Sequence, residues 1–330
     1  FKSNSIKGTL AIAADLFELN KLSTLLGTKA EDSSNEEIPL ENKINLPHEL
    51  VSFAKAKDGS ITAYLKHESF VMSKLYMKLA CQKLAESSGA GFTITFFTCS
   101  TKTIQSNIQE LFRTLENLNV KNLVIDMRGN PGGYLVEGFV LAAAFAKSAI
   151  TYPKFSLRLS QEWLADFEQM VEKESTLSIK QRYKDIYAQL LKEASEGKRI
   201  SSPVSLMAVS EMPPVDNPFK GKLILLTDSL CASMCDIFFL IFDRHPDTFI
   251  VGSQTMGAGG NVASIGYSPY RKIELSQTMS MAINPYTGEY LENNGVKPDA
   301  AYQSTKEDLT AKDMNFKKFL TEYIDKLNQP

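Results

Sequence analysis

Two turns in the sequence, each between an apolar run and an apolar helix, carry residues that could do chemistry. One is the glycine-rich stretch 129–133, and the other contains Ser233. Backbone N–H groups at the start of a helix lack partners within the helix, so they can stabilise a negatively charged oxygen. The pair predicts a serine-hydrolase centre in which Ser233 is the nucleophile. The predicted oxyanion donors are the backbone N–H groups of Gly132, Gly133 and Met234.

Each turn also has a purely structural interpretation. A serine at the start of a helix is most often a cap or a packing residue. The stretch 129–133 could be a simple strand-to-helix turn. It lacks the Gly-Lys-Ser/Thr ending of a phosphate-binding loop, and it lacks the glycine spacing of a dinucleotide-binding fold. Catalysis by Ser233 therefore requires an oxyanion hole and a base nearby.

The elements around these turns alternate between strands and helices. The predicted strands span 62–65, 92–98, 123–126, 223–226, 249–252, 272–274 and 278–283. The predicted helices span 6–26, 73–86, 104–118, 134–147, 233–244 and 311–327. Because strand 223–226, helix 233–244 and strand 249–252 form a βαβ crossover, we expect an α/β fold with a partly parallel mixed sheet flanked by helices.

Composition divides the chain into an N-terminal part and a core. Residues 1–46 are predicted to hold a helix and a flexible acidic linker, 27–46, where processing could occur. Residues 47–330 are predicted to form the catalytic core. Within the core, Glu and Lys at helical offsets predict two surface helices that form a lid or insertion at about 158–200. A proline-rich extended loop is expected at 201–218.

Composition also limits the partners. The chain has 330 residues, 43% hydrophobic and 22% charged, with a formal net charge of −2, as in ordinary soluble globular proteins. Nothing in this charge favours nucleic acid or an anionic membrane as a partner. No apolar run reaches the ~18 residues of a spanning helix. We expect no cofactor. The chain begins without methionine or a basic-then-apolar leader, so we expect a fragment or a processed form.

The four cysteines are too few and too scattered for a disulfide scaffold. Cys81 and Cys99 could pair, but two buried thiols are the favoured interpretation. Cys231 and Cys235 lie on either side of Ser233. With only one histidine near them, they are not expected to bind zinc.

Four sequence blocks together resemble a known family. They are Asp-Met-Arg-Gly-Asn-Pro-Gly-Gly at 126–133, Ser-Leu-Cys-Ala-Ser-Met-Cys-Asp at 229–236, Val-Gly-Ser-Gln-Thr-Met-Gly at 251–257, and Glu-Asn-Asn-Gly-Val-Lys-Pro-Asp at 292–299. In this order they resemble the blocks of the C-terminal-processing and tricorn-core serine proteases, with Ser233 on the catalytic serine. The resemblance implies a ClpP/crotonase-like tail-protease core that hydrolyses polypeptides. It also implies peptide binding as an extended strand, a secreted or extracytoplasmic location and a possible homodimer.

The third block departs from the C-terminal-processing branch at one position. That branch has a lysine base directly after Thr-x-Gly, where this chain has Ala258, so a Ser/Lys dyad is excluded. The stretch Gly-Ala-Gly-Gly at 257–260 instead resembles the branch of the chlamydial protease-like activity factor, with tricorn-type members more distant. That branch implies a histidine base and a glutamate that orients it. Glu292 matches the glutamate; alternatively, it is a solvated turn carboxylate.

The histidine base has no obvious match among the three histidines, His48, His67 and His245. A helix of about twelve residues would place His245 nearly 18 Å from Ser233, too far for a base. His48 and His67 are expected to be surface or packing residues; the alternative is that His67 approaches the site. We therefore expect the base to come from an upstream segment or chain outside this sequence.

Two rival interpretations stay open. In the first, the chain is a catalytically inactive ligand- or partner-binding protein on the same fold, as in a retinoid-binding protein. The apolar helices at 139–145 and 238–242 would then line a cleft, and Ser233 would be a relic. In the second, processing leaves this piece as an inactive partner of an upstream piece.

Overall fold

A computed structural model describes part of the chain. The described residues are 51–55, 60–66 and 105–329, with gaps at 106–107, 110, 114, 175–176, 208–214, 216, 269–272 and 311–312. The predictions for helix 6–26, linker 27–46, helix 73–86 and strand 92–98 lie outside them, as do Cys81 and Cys99. The residues described between 105 and 117 are helical, as predicted.

The main sheet is mixed and mostly parallel. Its six strands are β1 Val51–Lys55, β2 Ile61–Lys66, β3 Val120–Asp126, β5 Lys222–Thr227, β6 Thr248–Gly252 and β10 Ala300–Ala301. They lie side by side in this order across the sheet. Strand β1 runs antiparallel to β2, and every other neighbouring pair is parallel. The predicted α/β fold with a partly parallel sheet flanked by helices is confirmed.

The central strands have two apolar faces because successive side chains point to opposite sides of a sheet. Leu123 and Ile125 of β3 lie in the larger core, whereas Val124 between them lies in a second core on the other face. Burial on both faces explains why β3 and β5 read as unbroken apolar runs, which made them predictable from the sequence.

The parallel register brings the two candidate turns together. Asp126 at the end of β3 pairs with Leu226, and Thr227 at the end of β5 pairs with Gly252 at the end of β6. The loops that follow these strands therefore leave the sheet at one edge, which is where α/β proteins place their chemistry.

Two helices of the larger core pack directly behind that edge. They are α1 Leu135–Phe145 and α4 Met234–Phe242, and most of α1 and all of α4 are buried. A Cβ atom on Gly138 of α1 would lie 2.3 Å from Cε of Met234, so the missing side chain lets the start of α4 approach α1 closely. These helices are shorter than predicted, but both lie where the sequence indicates.

The predicted insertion contains two helices, α2 Gln161–Lys173 and α3 Leu177–Ser195. Strand β4, Lys154–Leu157, precedes them and pairs with β9, Ser280–Ile283. Antiparallel bridges from Phe155 to Val204 and from Arg158 to Ile200 bring the entering and leaving chains together, so the insertion is closed at its base.

The carboxyl-terminal part covers the second face of the sheet. It contains α5 Lys306–Thr310 and α6 Met314–Leu327, the latter beginning later than the predicted 311. Phe316, Leu320 and Ile324 of α6 pack on the second core. Each helix in the described part of the chain is too short or too polar to cross a membrane.

One part of the chain, Val262–Gln277, does not belong to the compact unit that contains the main sheet. Among the described strands, β7, Val262–Tyr267, pairs only with β8, Glu274–Thr278. Strands β1, β4, β7 and β10 were not predicted, and near the strand expected at 272–274 the structure has β8, Glu274–Thr278. These strands are short or exposed, so they lack the continuous apolar pattern that marks β3 and β5.

Candidate active site

Ser233 occupies a sharp turn between β5 and α4. Its backbone angles are φ 55° and ψ −122°, a region that costs a non-glycine residue about 1–3 kcal/mol. Its backbone N–H donates to the carbonyl oxygen of Ala258 at 2.9 Å, which helps to hold this conformation. Its side chain makes no capping hydrogen bond to α4, although capping is the commonest role of a serine at this position. A strained strand-to-helix turn of this kind presents a hydroxyl at the edge of the sheet.

The glycine-rich stretch 129–133, which we call the glycine turn, lies directly against Ser233. A Cβ atom on Gly132 would lie 2.6 Å from Cβ of Ser233 and 2.7 Å from the backbone nitrogen of Met234. Such distances are shorter than real contacts, so only glycine fits there without displacement. Gly132 also has φ 98°, which side-chain-bearing residues rarely adopt. The structure therefore brings together the predicted nucleophile and the predicted oxyanion turn.

Two residues tie the glycine turn to the nucleophile turn, Asn130 through its backbone carbonyl and Asp228 through its side chain. Asn130 is buried; its Oδ1 accepts from the N–H of Gly132 at 2.8 Å, and its carbonyl oxygen accepts from the N–H of Ala232 at 3.2 Å. Oδ1 of Asp228 accepts from the N–H of Gly129 at 3.0 Å. The Gly132 N–H is thus bonded within its own turn, whereas Gly133 is exposed.

A disulfide encloses the nucleophile. Cys231 and Cys235 are bonded, with their Cα atoms 5.3 Å apart, and both residues are buried. This disulfide was not expected from the number and spacing of the cysteines, and that expectation is corrected. The sharp turn at Ser233 brings the two Cα atoms within the distance that a disulfide requires.

The stretch 257–260 passes between the nucleophile turn and the segment that contains Glu292. Gly257 accepts a hydrogen bond from the N–H of Asn293 at 2.8 Å, while Ala258 accepts from Ser233. A Cβ atom on Gly260 would lie 3.3 Å from Oε1 of Glu292. We call residues 257–260 the glycine loop.

Glu292 is half-buried, and its two carboxylate oxygens differ in their hydrogen bonding. Its Oε1 accepts from the N–H of Ala282 at 3.0 Å. Its Oε2 is buried and has no hydrogen-bond partner among the described residues. Burial raises the pKa of Glu292 against the lowering effect of hydrogen bonds from the N–H groups of Ala282 and of Glu292 itself, and the negative charge of Asp236 raises it further. Most buried carboxylate oxygens have a hydrogen-bond partner, so Oε2 of Glu292 is a candidate functional atom.

His245 is placed in a structural role. It is 5% exposed, and its Nε2 lies 3.1 Å from Oγ of Ser148. Its Nδ1 lies 2.9 Å from the carbonyl oxygen of Pro246. Because it follows the far end of α4, its exclusion as the base stands on the structure as well. His48 and His67 lie outside the described residues.

Sequence reasoning missed three polar side chains that organise the site: Asn130, Asp228 and Asp236. Asn130 and Asp236 lie within the blocks quoted above, and Asp228 directly precedes the second block, but none was assigned a role of its own. A polar residue inside a buried segment is the signal that could have singled out Asp236, since such residues need hydrogen-bond partners. The described residues contain no group of three or more side chains suited to hold a metal ion.

The fold and the site define an α/β protein that presents a serine at a strained turn, opposite a tight glycine turn. Residues 90–302 match the model of Peptidase family S41, which is more than half of the chain, and the chain belongs to this peptidase family. The resemblance to the C-terminal-processing and tricorn-core proteases is thereby confirmed.

Similar proteins come from chlamydiae. The chain is 26% identical over 235 residues to a protein of Chlamydia trachomatis, covering 64% of this chain and 38% of that protein. It is 24% identical over 240 residues to an uncharacterized protein of Chlamydia muridarum, covering 66% and 39%. The chain thus spans less than half of the length of these relatives.

Solved structures of CPAF have the same fold. Mature CPAF complexed with lactacystin has a TM-score of 0.61 and 20% identity, over 84% of this chain and 54% of that chain. A second structure of mature CPAF has a TM-score of 0.60 and 21% identity, over 84% and 52%.

Proposed function

We propose that the protein is a serine endopeptidase with Ser233 as its nucleophile. The observation that carries the proposal is the backbone of Ser233, which is held at φ 55° between the glycine turn and the carbonyl of Ala258. Strained backbone of this kind persists only where the surrounding structure enforces it, and it clusters at active sites. Membership in a peptidase family supplies the reaction class.

The proposed reaction is acyl transfer. Oγ of Ser233 attacks the carbonyl carbon of the scissile peptide bond while a histidine from outside this chain takes its proton. The imidazole then gives this proton to the leaving amine as the peptide bond breaks. In the second step the histidine takes a proton from water, which attacks the acyl-enzyme, and returns a proton to Oγ of Ser233 as the ester bond breaks. Oε2 of Glu292 accepts a hydrogen bond from the histidine, directly or through water or a hydroxyl, and fixes its orientation.

The oxyanion is held by backbone donors. We propose the Met234 N–H, at the start of α4, together with an N–H of the Gly132–Gly133 turn. Since the Gly132 N–H already donates to Asn130, the exposed Gly133 is the better candidate of the two. Each such donor contributes roughly 3 kcal/mol to transition-state stabilisation.

The remaining expectations concern the whole protein. Polypeptide substrates are proposed to bind as an extended strand at a sheet edge, where main-chain hydrogen bonds supply affinity. The insertion with α2 and α3 is a proposed lid. A secreted or extracytoplasmic location and a homodimer are proposals by analogy with the family.

No observation favours the alternative of an inactive ligand-binding protein. That alternative places the side chains of α1 and α4 around a cleft. Phe139, Phe238 and Phe239 are instead fully buried in the larger core, and Phe238 packs against Phe242 with ring centroids 5.0 Å apart. In the described part of the chain, these side chains pack into the core rather than around a cleft.

Labelling with a fluorophosphonate probe tests the proposal. The full-length protein should be labelled on Ser233, and Ser233→Ala should abolish labelling without loss of fold. Ser229→Ala, which alters an exposed serine of the same loop, is the matched control and should be labelled normally. Because the base is proposed to lie elsewhere, the 330-residue chain alone should be labelled far more slowly. A folded full-length protein that stays unlabelled would overturn the proposal.

A further inference from the structure

Asp236 is a buried carboxylate in the first turn of α4, three residues after Ser233. It is 0% exposed. Its Oδ1 accepts from the N–H of Gly257 at 3.1 Å, and its Oδ2 accepts from the N–H of Ala258 at 2.8 Å. Both oxygens are therefore bonded to successive backbone amides of the glycine loop. The start of a helix also favours a negative charge.

These bonds form a closed connection with the nucleophile. Ala258 donates its N–H to Asp236 and accepts the N–H of Ser233 with its carbonyl oxygen at 2.9 Å. Asp236 in turn belongs to the helix that Ser233 begins. The glycine loop is thus fixed to α4 at one point and holds the backbone of Ser233 at another.

The same loop reaches the segment of the orienting carboxylate. The carbonyl oxygen of Gly257 accepts from the N–H of Asn293, the residue after Glu292, at 2.8 Å. A Cβ atom on Gly257 would lie 2.8 Å from the backbone nitrogen of Gly295, so the two segments are tightly packed. A shift of the loop would move Ser233 and Glu292 relative to each other.

We infer that Asp236 is a positioning residue: through the glycine loop it fixes both the strained backbone of Ser233 and the segment that carries Glu292. This inference deepens the proposed function and rests on it. Because Asp236 is fully buried, its effect on the site passes through the glycine loop. Its two oxygens accept hydrogen bonds from the N–H groups of Gly257 and Ala258. A buried N–H group without an acceptor is costly, so these bonds hold the loop in place.

Asp236→Asn is the sharpest test. An amide side chain of the same shape keeps one acceptor oxygen, but its NH₂ group faces an N–H donor, so one of the two bonds to the loop is lost. We expect the maximal labelling rate of Ser233, kinact, to fall about tenfold or more, because hydrogen bonds to charged groups are strong. The inhibition constant KI and the number of labelled sites should change little. A role in folding alone would lower the number of labelled sites and leave kinact unchanged.

Two further variants serve as controls. Asp243→Asn alters a carboxylate at the other end of α4, which accepts a hydrogen bond from Asn284 rather than from the glycine loop. It should leave kinact unchanged. If Asp236→Asn does not fold, Asp236→Glu keeps the charge and moves the carboxylate by one methylene. It should lower kinact several-fold by the same misplacement.

Hydrogen exchange separates this inference from the proposed function. In Asp236→Asn, the amides of Ser233 and Ala258 should exchange faster, while those of the core strand β5 should not change. This result is expected even if Ser233 is not labelled, in which case only the proposed function fails. Unchanged exchange at both amides, or a kinact equal to that of the unaltered protein, would refute the role assigned to Asp236.

Discussion

The Cα atom of Gly132 faces Ser233 so closely that a methyl group on it would lie 2.6 Å from Cβ of the serine and 2.7 Å from the nitrogen of Met234. Gly132→Ala should therefore push the two turns apart and abolish labelling of Ser233. Gly129→Ala is the matched control, since its φ is +76° but no atom lies within 4 Å of the added methyl. The control should cost only about 1–2 kcal/mol of backbone strain. Equal labelling of both variants would contradict the assignment of the oxyanion turn.

Glu292→Gln should separate activity from stability. The glutamine keeps an acceptor for the Ala282 N–H but cannot carry the charge that orients an imidazolium, so labelling should fall about a hundredfold or more. The pKa of Glu292 is raised by burial and by Asp236. The folded state therefore holds the proton more tightly than the unfolded state. The free energy of unfolding therefore falls as the pH rises from about 4.3, the pKa of an unfolded glutamate, through the raised pKa of Glu292 in the folded state.

It follows that Glu292→Gln should be as stable as the unaltered protein at pH 7, or more stable. The difference should shrink as the pH falls below the raised pKa. Urea unfolding at several pH values measures this, with Glu289→Gln, an exposed carboxylate nearby, as the control. An active but destabilised Glu292→Gln would show that the carboxylate is structural.

The disulfide between Cys231 and Cys235 should stabilise the turn that it encloses. A loop of this length contributes roughly 2 kcal/mol by restricting the unfolded chain. A variant with both cysteines changed to alanine should lose about that much unfolding free energy and be labelled more slowly at Ser233. Reductant should slow labelling of the unaltered protein and have no effect on the variant. If reductant affects both equally, another target is responsible.

Asp308 should make the attachment of α6 sensitive to acid. It is 2% exposed and accepts hydrogen bonds from the hydroxyl of Tyr302 at 2.5 Å and from the N–H groups of Thr305 and Phe316, each at 2.9 Å. Burial alone would raise the pKa of Asp308, but these bonds outweigh it and hold the pKa well below its usual value. A carboxylate with a lowered pKa contributes stability above its unfolded pKa of about 3.9, and this contribution disappears as the pH falls.

Asp308→Asn should therefore lower the thermal midpoint at pH 7, and the difference from the unaltered protein should narrow towards pH 3. Glu307→Gln, at an exposed neighbouring position, should have little effect at either pH. A constant difference at all pH values would mean that the charge of Asp308 does not matter.

The elements that the sequence predicted best are those with strong local signals. Strands β3 and β5 are unbroken apolar runs because both of their faces are buried, and α1 and α4 are apolar on all sides for the same reason. Strands β7 and β8 were missed or displaced because their side chains are largely exposed and carry no such pattern.

The site divides in the same way. Ser233, the glycine turn and Glu292 could be selected from the sequence by their residue types and their resemblance to family blocks. The roles of Asn130 and Asp236 could not be predicted, because each residue accepts a hydrogen bond from a backbone amide that is close in space but distant in the sequence. Gly257 lies 21 positions from the carboxylate of Asp236 that it contacts.

The sequence by itself determined which segments are buried, which turns join strands to helices and which serine follows β5. Only the tertiary structure decided that the glycine turn touches Ser233, that Cys231 and Cys235 bond around it, and that one oxygen of Glu292 has no partner among the described residues. The physical reason is the range of the interactions. Apolar periodicity is a property of residues that are neighbours in the sequence. The hydrogen bonds and contacts of the site instead join loops that are far apart in the sequence, and the parallel sheet brings these loops together.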